Sequence, residues 1–455
     1  MNGPRNQFVR RVAGVFSARI VLFGIGIVTS FLLSRLLGPA GRGEFALAIL
    51  VPSLLFALGQ LGLPSAFSFF AGRGRAGRSL WRSAVWLGTA ISIPLLLGAL
   101  LALPALEASV LPNVPEDLVR VALLSVPFQF LAAFCGAILI GRQSLLVYNL
   151  VLIGQSVLSL LLVILIVGVA DLGPAGAVIA NVTIAAAGAL ALTLGARATT
   201  DPGEPGTWVG IGELARYGLR LYPASVTAFF NYRIDIFLLG FLLVGAPAEV
   251  TAAVGLYTLA VSLAELSFFV PDSVSTVFFP RIAGMERRSA DEITPAVSRM
   301  TVLVMLLATI GLVPAATIAV YIILPDFVGA LPAFAVLLPG VIALGVAKVL
   351  SSYVSGVGLP LPVAAAAVLA LVMNVAANVV LIPALGIIGA SLASVFSYTV
   401  NMGFLLVVAS RLTGRPPTAF LAPTRSEVAR LGIIAKMVRS RLGLGRGGSD
   451  GTAAA

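Results

Sequence analysis

Twelve apolar stretches, each about as long as a membrane-spanning helix, constrain the fold of this chain more than any other feature. A helix needs about 20 apolar residues to cross a hydrocarbon core of about 30 Å. The stretches lack the alternating hydrophobicity of barrel strands. They predict an all-α integral membrane protein with about 12 transmembrane helices. The stretches cover residues 12–34, 45–70, 83–106, 118–140, 147–170, 174–196, 221–244, 253–279, 300–323, 331–352, 361–382 and 389–410.

Charged residues are too few to build a water-exposed surface. They make up 10% of the chain, whereas a soluble domain carries about 25%. Hydrophobic residues make up 59%. Most of the surface is therefore expected to face lipid.

Arginines concentrate in alternate segments between the stretches, which is the positive-inside pattern. This pattern predicts a multi-pass membrane protein with both termini in the cytoplasm. Because anionic lipid headgroups lie beside these segments, the net charge of +11 does not require a nucleic-acid partner. The expected outside segments hold few arginines, namely Arg35, Arg42 and Arg120.

The scarcity of cysteine and the lack of histidine argue against several kinds of chemistry. Cys135 is the single cysteine, so no intrachain disulfide is possible, and the chain has no histidine. Histidine is the usual general base and a common metal ligand. We therefore expect no metal, no bound cofactor and no enzymatic activity.

An internal repeat divides the chain into two halves. Gly43 to Ala48 recurs as Gly255 to Ala260, and Leu172 to Ala177 recurs as Leu385 to Ala390, at nearly the same offset. Two six-helix lobes of equal orientation follow, with a substrate path between them. The predicted domains are a lobe at 1–196, a cytoplasmic linker at 197–220, a lobe at 221–410 and a cytoplasmic tail at 411–455.

The linker and the tail each contain a short amphipathic segment. The segment WVGIGELARYGLR ends the linker, and SEVARLGIIAKMVRSRLG lies in the tail. Both are expected to lie on the cytoplasmic membrane surface. Docking of the tail to a biosynthetic partner is the alternative.

Three sequence blocks resemble one family. SARIVLFGIGIVTSFLLSRLLGPAGRGEFALAILVPSLLFALGQLGLPSAFSFFAG resembles the first helix pair of bacterial polysaccharide flippases of the multidrug/oligosaccharidyl-lipid/polysaccharide exporter superfamily. RYGLRLYPASVTAFFNYRIDIFLLG and VGLYTLAVSLAEL resemble the seventh and eighth helices of that family. The resemblance implies two lobes forming a V around a central cavity. It also implies that the substrate is a polyprenyl-diphosphate-linked oligosaccharide.

Arg233 and Asp235 are charged residues within an apolar stretch, where ionisable groups are costly and usually functional. A guanidinium suits a diphosphate, so Arg233 is the first candidate for substrate binding, together with Asp235 and Asn231. The alternative is a permanent ion pair between Arg233 and Glu265 or Asp272. Asp235 does not fit this pair, because residues two apart on a helix point away from each other.

Arg19 is the corresponding candidate in the first lobe. It lies in the first apolar stretch and is assigned to substrate binding. Its long side chain could instead extend to the cytoplasmic headgroups.

Glu265 and Asp272 are seven residues apart and share one helix face. We assign them either to coupling with a proton or sodium gradient or to balancing the charge of Arg233. Asn374 and Asn378 are four apart and are expected to hydrogen-bond neighbouring helices.

The predicted function is translocation of a lipid-linked oligosaccharide for polysaccharide or cell-envelope glycan biosynthesis. Its partners would be the lipid-linked oligosaccharide and membrane lipids, with a glycan polymerase and glycosyltransferases as further candidates. The alternatives are an ion-coupled drug exporter of the same superfamily and a flippase for the peptidoglycan precursor. A membrane glycosyltransferase would need a sizeable loop with paired carboxylates or histidine, and this chain has short loops.

Overall fold

The computed structural model describes residues 4–74, 77–109, 114–200, 209–424 and 427, and their side chains except those of 4–20, 104–109 and 280. These residues form helices joined by short turns, and no strand occurs among them. The helices through the first predicted lobe are α1 (Pro4–Gly59), α2 (Leu63–Gly72), α3 (Arg78–Ser109), α4 (Glu116–Leu123), α5 (Val126–Gly141), α6 (Leu145–Leu162, followed by a π-helical turn at Val163–Val169) and α7 (Gly173–Ala198). The later helices are α8 (Ile211–Leu242), α9 (Pro247–Glu265), α10 (Phe269–Ala283), α11 (Arg287–Ile323), α12 (Ala330–Gly356), α13 (Pro360–Thr413) and α14 (Thr418–Leu421).

The helix count agrees with the twelve apolar stretches. Within the described part of the chain, ten helical segments are long and apolar enough to cross a membrane. Two of them, α1 and α13, bend at Gly38 and Gly386, whose backbone angles are not helical. Counting each bent segment as two helices gives twelve. The predicted all-α membrane fold is therefore confirmed.

Contacts divide the chain into two compact units whose bounds differ from the lobes expected from the sequence. The first unit comprises Met1–Leu263, Ala315–Leu337 and Ala367–Ser397, and the second comprises the remaining segments. The first unit therefore includes parts of both predicted lobes. The division into lobes at 1–196 and 221–410 stays a prediction.

The two copies of the second repeat motif share an unusual backbone conformation. Gly173 has a φ of +52° and Gly386 a φ of +56°, a left-handed region that favours glycine. The two glycines occupy equivalent positions in the repeat, and each lies at the start of the last helix of its half. The sequence match therefore extends to the backbone.

The two copies of the first repeat motif pack directly against each other within the first unit. A Cβ atom on Gly43 would collide with the carbonyl oxygen of Thr251, and one on Gly255 would collide with the carbonyl oxygen of Pro39. Residues 43 and 39 correspond to 255 and 251 in the repeat, so the contact is reciprocal. We call this contact the glycine crossing. It brings the second half of α1 and α9 together backbone to backbone.

Arg42 is buried beside the glycine crossing, with 7% of its surface exposed. Its guanidinium donates to the hydroxyls of Thr258 (3.2 Å) and Ser262 (3.3 Å) on α9. On α1 it donates to the Ser30 carbonyl oxygen at 3.1 Å and to the Ser34 hydroxyl. These partners are neutral. The sequence placed Arg42 in an outside segment, but it lies at a helix contact, because a helix begins directly after Gly38.

The linker ends differently from the sequence-based expectation. Residues 211–220 are the first turns of α8, which continues without interruption to Leu242. The start of α8 packs closely on the first unit, since a Cβ on Gly62 would collide with the Gly218 carbonyl oxygen. This segment is therefore part of a 32-residue helix.

The beginning of the tail is attached to α11 in the second unit. Arg299 binds the Glu427 carboxylate through Nε at 2.9 Å and Nη2 at 2.7 Å, and donates to the Ala419 carbonyl oxygen. Hydrogen bonding to Arg299 lowers the pKa of Glu427 to about 2, so this buried pair stays charged at neutral pH. The rest of the predicted amphipathic tail segment lies outside the described residues.

The glycine crossing should tolerate no side chain. We expect Gly255→Ala to destabilise the protein by about 1–3 kcal/mol, because the added methyl group would force the helices apart. Gly311→Ala on α11 is the matched control, since a Cβ there meets nothing within 4 Å. It should leave the melting temperature unchanged or slightly raised, because alanine favours a helix over glycine. Thermal unfolding of the two purified variants in detergent gives their melting temperatures. Equal melting temperatures for Gly255→Ala and Gly311→Ala would refute the glycine crossing.

Candidate functional site

The apolar part of α8, from residue 221 onward, carries two charged side chains that lie in different surroundings. Arg233 is exposed, whereas Asp235 is buried with 5% of its surface accessible. Two residues advance about 200° around a helix, so a continuous helix must separate them in this way. The expected divergence of the two side chains is confirmed.

The Arg233 guanidinium makes no hydrogen bond or ion pair with the described residues of its own unit. The aromatic rings of Phe229 and Phe230 lie one turn earlier on α8, edge to face at 5.6 Å. An exposed guanidinium on an apolar helix presents a planar set of donors that fits a carboxylate or a phosphate. This position can bind an anion.

The Asp235 carboxylate lies in a buried polar cluster within the first unit. Asn378 donates to Oδ1 from Nδ2 at 2.6 Å, and Tyr257 donates to Oδ2 from its hydroxyl at 3.1 Å. The Ser394 hydroxyl also donates to Oδ2. The cluster joins α8, α9 and both halves of α13. We call these residues, with Asn374, the Asp235 cluster.

Acceptors outnumber well-placed donors in the Asp235 cluster. Nδ2 of Asn378 has two hydrogens but three oxygen acceptors, because it also lies 2.9 Å from Oδ1 and 3.0 Å from the carbonyl oxygen of Asn374. The other polar atoms of the two amides, Nδ2 of Asn374 and Oδ1 of Asn378, are buried without a hydrogen-bond partner in the described chain. A single carboxylate surrounded by neutral oxygen-bearing groups suits one monovalent cation or one proton.

The other predicted site residues lie in different surroundings. Asn231 donates from Nδ2 to the carbonyl oxygen of Ala367 at 3.2 Å, and its Oδ1 is buried without a partner among the described residues. Glu265 is half-buried and has a partner of its own. The side chain of Arg19 lies outside the described residues.

Asp272 has a cation within the second unit. Its Oδ1 lies 2.7 Å from Nζ of Lys348, whose ammonium also lies 4.2 Å from the centre of the Phe268 ring. About half of the Asp272 side chain is exposed. This pair balances the charge of Asp272, which weakens the case for Asp272 as the counter-ion of Arg233.

Sequence reasoning missed two members of the Asp235 cluster, Tyr257 and Ser394. Tyr257 occupies the aromatic position of the repeated Gly-x-aromatic-x-Leu-Ala motif, where the first copy has Phe45. The Tyr257 hydroxyl is one of the differences between the two copies of the motif, so comparison of the copies could have identified this residue. Ser394 is one of many serines in apolar stretches, so no such signal distinguished it.

Thiol labelling tests the environments of the two charged positions. In a Cys135→Ala background, we expect Arg233→Cys to react with a membrane-impermeant sulfonated maleimide. The matched variant Asp235→Cys should stay unlabelled, because that position is buried. Mass spectrometry of membrane vesicles of both orientations measures the modification. An unreactive Arg233→Cys would show that this position faces lipid or protein and would exclude an aqueous anion site.

The comparisons with known proteins agree with these features. The family model described as "polysaccharide biosynthesis protein" matches residues 8–286, which is more than half of the chain. No curated protein matches the chain by sequence.

Solved structures show the same fold. The lipid II flippase MurJ in an inward closed conformation aligns with a TM-score of 0.75 at 15% identity, covering 93% of this chain and 92% of MurJ. The eukaryotic MATE transporter AtDTX14 aligns with a TM-score of 0.59 at 15% identity, covering 89% and 98% of the two chains. A mutant form of the Vibrio cholerae MATE transporter VcmN aligns with a TM-score of 0.56 at 18% identity, covering 86% and 94%.

These proteins are flippases and transporters, and at such identities the likeness establishes the fold. The family model and the shared fold lead to one assignment. This chain belongs to the polysaccharide biosynthesis protein family, and it shares its fold with solved flippases and transporters.

Proposed function

We propose that the protein is a flippase for a polyprenyl-diphosphate-linked oligosaccharide used in polysaccharide or cell-envelope glycan biosynthesis. The exposed guanidinium of Arg233, within the apolar part of α8, carries this proposal. A diphosphate is the anionic part of such a lipid, and a guanidinium can bind it with two parallel hydrogen bonds. The family description and the flippase fold support the same class of cargo.

Arg233 is the proposed substrate anchor, with Asn231 and Arg19 as further substrate contacts. Asn231 lies four residues before Asp235 on α8, and its side-chain Oδ1 is buried without a partner among the described residues. A sugar hydroxyl would donate to this oxygen only when transport makes it accessible. Asp235 was first assigned to substrate contact, but its burial favours a role in energy coupling.

The Asp235 cluster is the proposed coupling site for a proton or a sodium ion. The described partners of its carboxylate are all neutral, so it gains most from binding a positive charge. The hydrogen bonds reach α9 and both halves of α13, so occupancy would change how these helices pack. Glu265 remains a candidate for the same coupling, whereas Asp272 is already paired with Lys348.

Two other cargoes are alternatives to a polysaccharide precursor. A peptidoglycan precursor also carries a polyprenyl diphosphate, and the lipid II flippase structure has a TM-score of 0.75 against this chain. The Arg233 site would serve both cargoes, which differ in their sugars. A cationic drug fits less well, because the exposed charge on α8 is positive and the carboxylate is buried.

The arginine distribution supports a cytoplasmic position for both termini in a bacterial plasma membrane. Loading would then occur at the inner leaflet and release at the outer leaflet. A glycan polymerase and glycosyltransferases are the proposed functional partners, since they would produce and consume such a lipid.

Replacement of Arg233 tests substrate binding. We expect Arg233→Ala to reduce glycan export at least about tenfold, while Arg233→Lys should restore it only partly, because an ammonium lacks the bidentate fork. Arg288→Ala is the matched control, since Arg288 is a highly exposed arginine paired with Glu292 on the surface. Surface glycan per cell, normalised to the amount of membrane-inserted protein, is the measurement. Full export by Arg233→Ala combined with Glu265→Gln would instead identify Arg233 as an internal counter-ion.

Replacement of Asp235 tests coupling. In proteoliposomes, we expect an imposed sodium or proton gradient to accelerate translocation of a fluorescent polyprenyl-diphosphate glycan by the wild type. Asp235→Asn should translocate at one rate with or without the gradient, because an amide cannot bind the cation. Asp272→Asn is the control and should keep the gradient response. A gradient response retained by Asp235→Asn would exclude the Asp235 cluster as the coupling site.

A further inference from the structure

The first unit contains a pocket that the proposed translocation site does not use. It has a volume of about 780 Å³ and lies among the end of α1, α2, α5, α6 and α7. Pockets of about 300–1,000 Å³ typically hold small molecules. The pocket lies toward the end of α2 that is followed by Arg73 and toward the end of α5 that is followed by Arg142.

The pocket lies on the side of α6 opposite its most exposed leucines. Leu146, Leu150 and Leu161 mark the exposed side of this helix. Tyr148 and Gln155, which line the pocket, lie about 150–170° from that side at about 100° per residue. The pocket therefore lies on the face of α6 that is turned toward the other helices of the first unit.

The lining is mostly apolar and carries aromatic rings and a few uncharged polar groups. Phe56, Phe69 and Tyr148 contribute the rings, and none of the described residues that line the pocket is charged. The polar groups are those of Gln60, Ser65, Ser68, Tyr148 and Gln155. Gln155 donates to the Ile184 carbonyl oxygen at 3.4 Å, whereas the side chains of the other four make no hydrogen bond with the described residues.

This chemistry discriminates between two kinds of occupant. A hydrocarbon chain that filled the pocket would shield the Gln60 amide and the hydroxyls from water and leave them without partners, which is costly. A sugar ring supplies hydroxyls that donate and accept, and its C–H faces can stack on aromatic rings. The lining therefore favours a sugar over an acyl chain.

A cation lies directly beside this uncharged lining. The guanidinium carbon of Arg73 lies 4.4 Å from the centre of the Phe69 ring, and Phe69 lines the pocket. The Phe69 ring also stacks on Tyr217 of α8 at 4.3 Å. An exposed guanidinium next to an uncharged pocket with several polar groups matches a sugar that is attached to a phosphate group.

We propose that this pocket binds a sugar ring of the cargo during loading, with Arg73 contacting the adjacent diphosphate. The proposal rests on the proposed function and adds to it a second binding site, separate from Arg233. It makes the pocket a determinant of which glycan the protein accepts. Gly136 helps to form it, because a Cβ there would lie 3.2 Å from the Tyr148 ring.

The test measures binding to the full-length protein in detergent micelles with four soluble probes. These are farnesyl diphosphate and farnesyl diphosphate bearing glucose, galactose or N-acetylglucosamine. We expect the wild type to bind at least one sugar-bearing probe about tenfold more tightly than bare farnesyl diphosphate, as one or two added hydrogen bonds would allow. Equal binding of all four probes would overturn the sugar assignment.

Single substitutions test which residues cause the preference for a sugar-bearing probe. Tyr148→Phe removes one hydroxyl and keeps the ring against Gly136, so it should reduce the sugar preference about fivefold and leave farnesyl diphosphate binding unchanged. Gln60→Leu should act in the same way. Arg73→Gln should weaken binding of all four probes by the same factor. Tyr321→Phe is the control, because Tyr321 is an exposed tyrosine on α11 outside the pocket, and it should change nothing.

Two further outcomes would overturn the proposal. A sugar preference that survives Tyr148→Phe, Gln60→Leu and Ser68→Ala together would place the sugar elsewhere. Ala133→Phe should fill the pocket. If this variant loses co-purifying phospholipid but keeps the sugar preference of the wild type, the occupant of the pocket is an acyl chain. Failure of the proposed function has a different signature: the wild type would bind none of the probes, and Arg233→Ala would leave glycan export intact.

Discussion

The glycine crossing between the second half of α1 and α9 is the contact on which the rest of the first unit depends. Gly43 and Gly255 allow two backbones to meet, and each glycine lies against a carbonyl oxygen of the other helix. In lipid, where apolar surfaces gain little from facing each other, such close packing is a main source of helix association. The crossing places Tyr257 two residues from Gly255, where its hydroxyl reaches Asp235.

Arg42 adds a charge to this crossing. Its guanidinium joins α1 and α9 through hydroxyls and a carbonyl oxygen, and each of these partners is neutral. A buried cation held in this way depends strongly on all of its hydrogen bonds, because losing them leaves an unsatisfied charge. The crossing therefore combines tight packing with a polar network that favours a single arrangement of the two helices.

Charge separation on α8 links the fold to the proposed activity. One helix carries an exposed guanidinium, the proposed contact for an anionic cargo, and, two residues later, a buried carboxylate, the proposed site of a cation. The carboxylate contacts α9 and α13, whereas the guanidinium remains accessible. In the proposed function, the cation and the cargo would act on the same helix from opposite sides, which is a direct way to couple them.

The membrane-spanning helices and the internal repeat could be predicted from the sequence alone. Apolar runs of fixed length predict membrane helices because the bilayer sets that length, and the repeated glycine motifs marked positions that meet or share a left-handed backbone. Spacing alone also predicted that Arg233 and Asp235 diverge. Tertiary structure decided which groups surround Asp235, that Arg42 is buried at a helix contact, that Asp272 pairs with Lys348, and that α2, α5 and α6 line one pocket. Those outcomes depend on residues distant in sequence, whose proximity follows from packing and leaves no local pattern along the chain.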